Sequence, residues 1–245
     1  MKFLGALLFS LTLLSNLPSY GQTPALPETA GVLRQAHVTS PVNYPQLYNG
    51  PEYVDYARRY HASTGHQFFL QADKQPGSVH YNGHLFSGLR LAYDVVLDQI
   101  VLTHLANPLT LRLINEQVRG FSLENHQFVR LVADSCAGGV INTGYFEMLL
   151  QAGNLQLLAK HSKTMLAQPY HGFLDVVFIA SDKLFLQKQN VYYAISSKAA
   201  LIRLLADRKP ELQQYIDAQQ LRFNKDNFAL SATRLVDYYA SLLPR

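Results

Sequence analysis

Short apolar or alternating runs recur along residues 66–195, and turn residues rather than helices separate them. No intervening stretch shows the apolar periodicity over roughly ten residues that an amphipathic helix needs. Parallel strands require long crossover connections, so this spacing favours antiparallel pairing of successive strands. A sheet of that length must also twist and protect its edges. We therefore expect an α+β fold, mainly an antiparallel β meander in the form of a curved sheet, an open barrel or a sandwich, with a C-terminal helical segment.

The predicted strands differ in how much of their surface is apolar. Leu109-Thr-Leu-Arg-Leu113 alternates cleanly, as expected where one face contacts water. Gln99-Ile-Val-Leu-Thr103 is more continuously apolar, so we expect it near the centre of the sheet. The predicted strands, besides a hairpin over 78–85, cover residues 88–93, 99–105, 109–113, 118–123, 127–132, 145–150, 155–161, 175–179, 183–186 and 191–195.

The sharpest local signal is Asn82-Gly83 within the hairpin. Both residues readily adopt the positive φ values that a type I′ turn requires. A two-residue turn at this point places His80 and His84 on opposite faces of the hairpin. The two imidazoles therefore cannot bind one metal ion.

The last part of the chain has helical rather than strand periodicity. Ser196 or Ser197 is expected to cap a first helix that runs to about residue 206. Pro210 is expected in the first turn of a second helix that ends near residue 219. The third is predicted over residues 228–243. Its apolar stripe is formed by Phe228, Ala232, Leu235, Tyr239 and Leu242.

The N-terminus has the layout of a secretory signal peptide. Lys2 supplies the basic start, residues 3–14 form an apolar run, and Pro18 ends it. Small residues precede the expected cleavage site after Gly21, so residues 1–21 are predicted to be removed on export to the periplasm or the medium. The alternative, an N-terminal membrane anchor, needs about 18 or more apolar residues, and polar residues interrupt this run earlier.

The mature chain is expected to have three parts. Residues 22–46 are rich in proline and are predicted to form an extended lead-in. Residues 47–196 are predicted to form the antiparallel β domain. Residues 197–245 are predicted to form a helical segment that packs on the β domain and buries its apolar stripes there.

Cys136 is the only cysteine, so the chain cannot form an intrachain disulfide. Its stability must therefore come from the core. An exported protein without disulfides fits a bacterial periplasm better than a small disulfide-stapled extracellular domain. We expect Cys136 to be a small buried side chain rather than a reactive thiol.

The charge pattern limits the classes of partner. The chain has 21 Lys and Arg against 17 Asp and Glu. Proteins that bind nucleic acid concentrate basic residues in a dense stripe, and segments that bind anionic membranes carry basic clusters. The basic residues here are scattered, so we expect no nucleic-acid partner. We also expect no transmembrane segment after signal cleavage.

Two aspartates, Asp94 and Asp98, are the pair of carboxylates most worth testing for acid–base chemistry. On one strand they would share a face about 13 Å apart, which is too far for that chemistry. In a hairpin they would flank the turn, where Asp often accepts local backbone hydrogen bonds. The turn interpretation is favoured.

The other polar residues form no recognisable catalytic or metal motif. The pairs His61 and His66, and His161 and His171, lack the spacing and the third partner of a zinc site. The chain has no Gly-x-Ser-x-Gly elbow, P-loop or Gly-x-Gly-x-x-Gly sequence. The sequence therefore identifies no catalytic residue, no cofactor-binding residue, no metal ligand and no cofactor.

Tyrosines at helical spacing stand near the start of the predicted β domain. Tyr53, Tyr56 and Tyr60 would lie on one face of one or two helical turns. Such a stripe can bind a glycan or another ligand, but an aromatic stripe at this spacing more often belongs to the core.

Several segments resemble a group of uncharacterised exported proteins of Bacteroidota. The resemblance begins with Gly65-His-Gln-Phe-Phe69 and His80-Tyr-Asn-Gly-His84, and continues with the segments over 91–101, 118–121, 126–130, 144–150 and 198–221 and with Tyr238-Tyr239. It implies a Gram-negative envelope or secreted setting, and it brings no known activity or site residues.

We expect an exported cell-envelope protein that acts as a non-enzymatic binding or scaffold module. The chain is rich in Tyr (15) and Phe (13) and shows no assembled set of reactive groups. Its expected partner is an envelope protein or a small apolar ligand. The alternative is a periplasmic hydrolase whose site is assembled from scattered residues. A pocket where carboxylates and histidines converge favours the enzyme, and a long apolar groove favours the binding module.

Overall fold

The computed structural model describes residues 44–105, 108–133 and 139–243. The predicted signal peptide, nearly all of the lead-in, and Cys136 lie outside these residues. The described chain forms a 10-stranded sheet, a 3-stranded sheet and C-terminal α-helices. No helix within these ranges is both long and apolar enough to cross a bilayer.

Strand and helix bounds follow the sequence expectation closely. The strands are β1 Ser63–Thr64, β2 Gln75–Tyr81, β3 His84–Asp94, β4 Gln99–Thr103, β5 Thr110–Arg112, β6 Val118–Leu123, β7 His126–Leu131, β8 Gly144–Ala152, β9 Leu155–Lys160, β10 Lys163–Tyr170, β11 Phe173–Ala180, β12 Lys183–Lys188 and β13 Val191–Ile195. The helices are α1 Lys198–Leu204, α2 Lys209–Ala218 and α3 Phe228–Ser241, and short 3-10 turns lie at Pro45–Tyr48, Tyr56–Arg59, Asn115–Gln117 and Ala206–Arg208.

The large sheet has the order β13-β12-β9-β8-β7-β6-β2-β3-β4-β5. All of its neighbouring strands pair antiparallel, which confirms the predicted class of fold. Because β2 pairs with both β3 and β6, the β2–β5 meander forms one end of the sheet. The edge strands β13 and β5 do not pair with each other, so the sheet stays open.

The predicted type I′ turn joins β2 to β3. Asn82 and Gly83 have φ values of 48° and 82°. Tyr81 pairs with His84 across the turn, and His80 is opposite the next residue of β3. The two histidines therefore lie on opposite faces, as the sequence predicts.

Aromatic side chains fill the core beside β3, β6, β7 and the start of β8. Phe121 and Phe128 stack with ring centroids 4.5 Å apart. Tyr93 and Tyr145 meet Phe121 edge-on, at 5.3 and 5.2 Å. Aromatic pairs of this kind stabilise a fold by about 0.5–1.5 kcal/mol each beyond the burial of their area.

The helices pack against the other half of the large sheet. Leu157 of β9 and Leu186 of β12 are directly opposite each other and are buried with Leu235 of α3. Ser197 caps α1, because its hydroxyl accepts a hydrogen bond of 3.2 Å from the backbone N–H of Ala200. The helices thus form one layer over the strands that precede them in sequence.

The small sheet contains the predicted strand over 175–179 as β11, but the sequence prediction misses its other two strands, β1 and β10. Its order is β1-β11-β10, with an antiparallel β10–β11 hairpin and a two-residue parallel pairing of β1 with β11. The parallel pair departs from the antiparallel expectation. Strand β10 escaped prediction because Pro169 and the polar residues around it weaken its strand signal.

Candidate functional site

Glu147 is a nearly buried carboxylate between two histidines. Its Oε1 lies 2.5 Å from Nδ1 of His126, and its Oε2 lies 2.6 Å from Nε2 of His161. The second nitrogen of His161, Nδ1, lies 3.1 Å from Oδ1 of Asp182. Four ionisable side chains therefore form a continuous chain, which we call the Glu147 cluster: His126, Glu147, His161 and Asp182.

Sheet register brings the Glu147 cluster together. Glu147 of β8 is opposite Phe128 of β7 on one side and Ala159 of β9 on the other. Side chains two residues apart on a strand share a face, so His126 comes beside Glu147 from β7. His161 reaches the same face from just beyond β9. The cluster lies where the aromatic core meets the helix-covered core.

The protonation states of the cluster follow from its hydrogen bonds. Burial raises the pKa of Glu147, but hydrogen bonds from His161 and His126 outweigh it and hold the pKa below its ordinary value. Burial works against a charged His161, but hydrogen bonds to Asp182 and Glu147 raise its pKa to about 9. At neutral pH His161 is therefore an imidazolium that donates to both carboxylates.

An ionised Glu147 also fixes the tautomer of His126. A carboxylate can only accept hydrogen bonds, so Nδ1 of His126 must carry the proton that points to Glu147. When His126 is neutral, its Nε2 is left with a free lone pair. The side chain of His126 remains 33% exposed, so this nitrogen is the one available to a bound molecule.

The Glu147 cluster lines a pocket of about 360 Å³. Phe69 forms its apolar wall and packs on both imidazoles, with ring centroids 5.1 Å from His126 and 4.7 Å from His161. Lys163 lies at the rim, where its ammonium group donates to the backbone oxygens of His66 and Phe68 at 2.8 and 2.6 Å. Burial lowers the pKa of Lys163.

The geometry of the cluster differs from that of a metal site. Nδ1 of His126 points at one oxygen of Glu147, and Nε2 of His161 points at the other. The two nitrogens do not point at one shared position where an ion could bind. No group of three or more His, Cys, Asp or Glu within the described residues is arranged to hold a metal ion. The contacts that join the cluster are hydrogen bonds and ion pairs.

Asp94 and Asp98 lie at the two ends of the β3–β4 turn, as the turn interpretation has it. Oδ1 of Asp94 accepts hydrogen bonds from the backbone N–H groups of Val96 and Leu97 at 2.9 and 3.0 Å. Burial raises the pKa of Asp94, and these bonds oppose that shift. The aspartates act as turn and packing residues and do not join the Glu147 cluster.

The tyrosine stripe is only partly helical. The 3-10 turn begins at Tyr56, and Tyr53 precedes it. Both hydroxyls donate to Asp94, at 2.8 Å from Tyr53 and 3.1 Å from Tyr56. Tyr53 and Tyr56 therefore anchor the first described segment to the large sheet, whereas Tyr60 lies beyond the turn.

The other histidine pairs from the sequence are not brought together. His61 lies 3.0 Å from Asp175 of β11, and His66 accepts a hydrogen bond from the backbone N–H of Phe68. His171 is in the β10–β11 turn. Only His161 joins the cluster, and its partner is His126, through Glu147.

Sequence reasoning therefore missed the Glu147 cluster, although one signal was present. Glu147 is a charged residue inside the apolar run Tyr145-Phe-Glu-Met-Leu-Leu150 of a predicted strand. Carboxylates are rarely buried unless they are paired, so this residue predicts partners on the neighbouring strands.

The small sheet carries a second candidate site, an apolar face that we call the open face. Directly paired residues share a face, and the pairs Leu166–Val177 and Tyr170–Phe173 lie on the same one. Leu166, Tyr170, Phe173 and Ile179 on this face are 46–58% exposed. The apolar members of the open face are Leu166, Tyr170, Phe173, Val177 and Ile179. The polar pair Gln168–Asp175 lies between the two apolar pairs on this face.

The opposite face of the small sheet is turned to the body of the protein. Val176 is fully buried and Phe178 is 9% exposed. The bonds from Lys163 to the backbone of His66 and Phe68 hold the start of β10 in place. The small sheet is therefore fixed on one side and open on the other.

A second cavity, of about 860 Å³, lies beside α3 and the β8–β9 and β12–β13 turns. Lys188 lies at its wall and donates to the hydroxyl of Tyr239 at 2.9 Å and to Asp207 at 3.2 Å. These three polar groups satisfy one another, which explains how Lys188 is accommodated beside the helical core.

Comparison of the chain with protein-family models, with curated proteins and with solved structures finds no match. What the protein does must therefore be inferred from the Glu147 cluster and the open face themselves.

Proposed function

We propose that the protein is an exported component of the cell envelope, periplasmic or secreted, and that it acts as a non-enzymatic binding module. The signal-peptide layout of residues 1–21 and the resemblance to exported proteins of Bacteroidota support the compartment. The open face supports the binding role.

The observation that carries this proposal is the exposure of several large apolar side chains on the open face. Large exposed apolar patches on otherwise well-packed proteins mark surfaces that meet a partner. Here the exposed side chains are aligned by strand register on one face, while the other face holds buried Val176 and Phe178. Isolated exposed residues elsewhere, such as Leu230 of α3, have no such alignment.

Fractionation of producing cells tests the proposal. The wild-type protein is expected to sediment with the envelope membranes. A variant with Tyr170→Ser and Phe173→Ser is expected to appear in the soluble exported fraction. Leu230→Ser is the matched control, because Leu230 is 55% exposed but lies on α3. Equal distribution of the wild type and the double variant would overturn the binding role of the open face.

A second candidate function, hydrolysis in the periplasm, is favoured by the Glu147 cluster. The pair of Glu147 with Nδ1 of His126 orients the imidazole in the way that general bases are oriented. In this reaction Nε2 of His126 takes a proton from water as the water oxygen bonds to an acyl carbon. The imidazolium then returns that proton to the departing alcohol oxygen as the acyl–oxygen bond breaks.

Hydrolysis of nitrophenyl esters by the purified protein tests this candidate. The His126→Gln variant is expected to lose the activity, whereas His171→Gln, a change at the exposed β10–β11 turn, is expected to keep it. If the wild type is no faster than buffer, or if His126→Gln keeps the full rate, the hydrolase assignment is wrong.

A further inference from the structure

The end of the β10–β11 hairpin is uncharged and exposed on both of its faces. Residues 164–174 contain no Lys, Arg, Asp or Glu. Every residue from 166 to 174 is exposed. Tyr170 and Phe173 lie on the open face, whereas Leu174 lies on the opposite face and is 53% exposed. The hairpin end is therefore a convex, mainly apolar tip rather than a groove or a flat patch, and its turn residues are His171 and Gly172.

The free edge of β10 is unsuited to pairing with a strand of another protein. Tyr170 and Phe173 flank the two-residue turn and form a hydrogen-bonded pair. Hydrogen-bonded and non-hydrogen-bonded pairs alternate along antiparallel strands, so the next pair, Pro169 with Leu174, is not hydrogen-bonded. The backbone nitrogen of Pro169 therefore points away from β11, toward the free edge of β10. A proline there has no N–H to donate, and proline on an edge strand blocks pairing with further strands. Contact with a partner must therefore be made by the tip of the hairpin rather than by the free edge of β10.

Few charged groups lie near the tip, and the carboxylates among them have partners. His61 stacks on Phe173 with ring centroids 4.7 Å apart and lies 3.0 Å from Asp175. Because β1 runs parallel to β11, the residues just before His61 lie at the same end of the small sheet as the tip. Among them Arg58 lies 3.3 Å from Asp55, whereas Arg59 is exposed and donates to the backbone oxygen of Tyr56. No carboxylate among these described neighbours is left to repel a phosphate group.

We propose that this tip, defined by Tyr170, Phe173 and Leu174, inserts into the interfacial layer of a phospholipid bilayer. The inference rests on the proposed function and names the partner of the open face. A protein partner would have to enclose apolar side chains on both faces of a narrow hairpin, whereas a bilayer is fluid and accommodates a convex tip. Aromatic side chains favour the depth of the lipid headgroups, and Leu favours the acyl chains below them.

Insertion by a neutral apolar tip predicts how binding depends on lipid and salt. The attraction comes mainly from burial of apolar area, so vesicles of pure phosphatidylcholine are expected to bind, and phosphatidylglycerol is expected to add only the small contribution of exposed Arg59. Added salt is expected to leave binding to phosphatidylcholine unchanged, because screening acts on charge pairs. Removal of one large side chain from the tip is expected to weaken partition by about tenfold.

The absence of tryptophan from the chain allows a direct measurement. Phe173→Trp places a single fluorophore in the tip, and Leu230→Trp places one at an equally exposed position on α3. On addition of vesicles, the emission of Phe173→Trp is expected to shift to the blue and to be quenched by brominated lipid. The emission of Leu230→Trp is expected to stay unchanged. Tyr170→Trp repeats the measurement if Phe173→Trp melts below the wild type.

The outcomes separate this inference from the proposed function. A blue shift confined to the tip variants supports insertion. No shift at the tip, or equal shifts at the tip and at Leu230, overturns insertion. If the tip gives no shift but Tyr170→Ser and Phe173→Ser still release the protein from the envelope, the binding role stands and the partner is a protein. If those substitutions release nothing, the proposed function itself fails.

Discussion

Nζ of Lys160 lies 2.6 Å from Oδ1 of Asp98, and this ion pair joins the β3–β4 turn to β9. The same carboxylate oxygen accepts a hydrogen bond of 2.5 Å from the hydroxyl of Tyr93. In the order of the large sheet, the strands β8, β7, β6 and β2 separate β9 from β3. The ion pair therefore records how strongly the sheet curves, because it connects strands that are not neighbours.

Loss of either member of this pair is expected to destabilise the protein. Both side chains are more than two-thirds buried, and removal of one partner leaves the other charge without its counter-ion. We expect Asp98→Asn and Lys160→Met each to lower the free energy of unfolding by about 1–3 kcal/mol. Urea melts of both single variants and of the double variant measure the coupling. Strictly additive effects would show that the two side chains have no coupling free energy and would contradict a stabilising ion pair.

A Cβ atom at Gly144 would lie 2.2 Å from Oδ2 of Asp98 and 2.7 Å from Nζ of Lys160, so a side chain at this position disturbs the ion pair. Gly144→Ala must therefore displace the carboxylate that pairs with Lys160. Gly153→Ala is the matched control, since Gly153 has a φ of +54° and a Cβ atom there would have no atom of the described residues within 4 Å. In thermal melts Gly144→Ala should lower the midpoint more than Gly153→Ala. A larger loss at Gly153 would contradict the steric explanation.

The success of the sequence prediction followed from local rules. The Asn82-Gly83 turn fixed a register that places His80 and His84 on opposite faces, because a two-residue hairpin leaves no freedom in pairing. Strands β6 and β13 have the predicted bounds. Strand β6 mixes apolar and polar residues, strand β13 is mainly apolar, and polar residues follow each of them. Ser197 was one of two predicted caps, and its hydroxyl makes the capping bond.

The sequence prediction missed β10 and the Glu147 cluster for the same physical reason. Both form through contacts between segments that are distant in sequence. Strand β10 has a weak strand signal by itself and is held by pairing with β11 and by the bonds of Lys163 to the 66–68 segment. The Glu147 cluster forms only after β7, β8 and β9 pair in one particular register. A pattern along the chain reports local periodicity, but it does not report which strands become neighbours.

Stability is expected to fall as the pH rises through the titration of His161. Its pKa is raised to about 9 in the folded protein, against an ordinary value of about 6.5. A raised pKa stabilises the fold fully below about pH 6.5, and this contribution is lost as the pH rises through about 9. Its upper bound is on the order of 3 kcal/mol. Urea melts from neutral to alkaline pH measure the slope.

His161→Gln is the variant that checks this assignment. Without an imidazole between Glu147 and Asp182, the free energy of unfolding is expected to be lower at neutral pH and to change less between neutral and alkaline pH. His171→Gln, at the exposed turn of the small sheet, should keep the wild-type slope. An unchanged slope in His161→Gln would assign the pH dependence to other groups.

The C-terminal helices are expected to be part of the folded domain rather than a detachable tail. Ala232, Leu235 and Tyr239 of the predicted stripe are buried, and Val236 beside them is fully buried against the strands. Burial of each large side chain is worth about 1.5–3 kcal/mol, and a domain has only about 5–15 kcal/mol of net stability. Removal of residues 227–245 should therefore lower the melting midpoint of the whole protein and favour its aggregation.

Two leucines of α3 allow the same test without truncation. Leu235 is fully buried, whereas Leu230 is 55% exposed on the same helix. Leu235→Ala should cost about 2–5 kcal/mol, because it removes apolar contacts and leaves a cavity between α3 and the large sheet. Leu230→Ala should stay within about 0.5 kcal/mol of the wild type, as expected for an exposed position. Because both changes lose the same atoms and keep the same helix propensity, the difference between their melts isolates packing. Equal melting midpoints for the two leucine variants would show that α3 does not pack against the large sheet. A truncated protein that melts like the full chain would show the same.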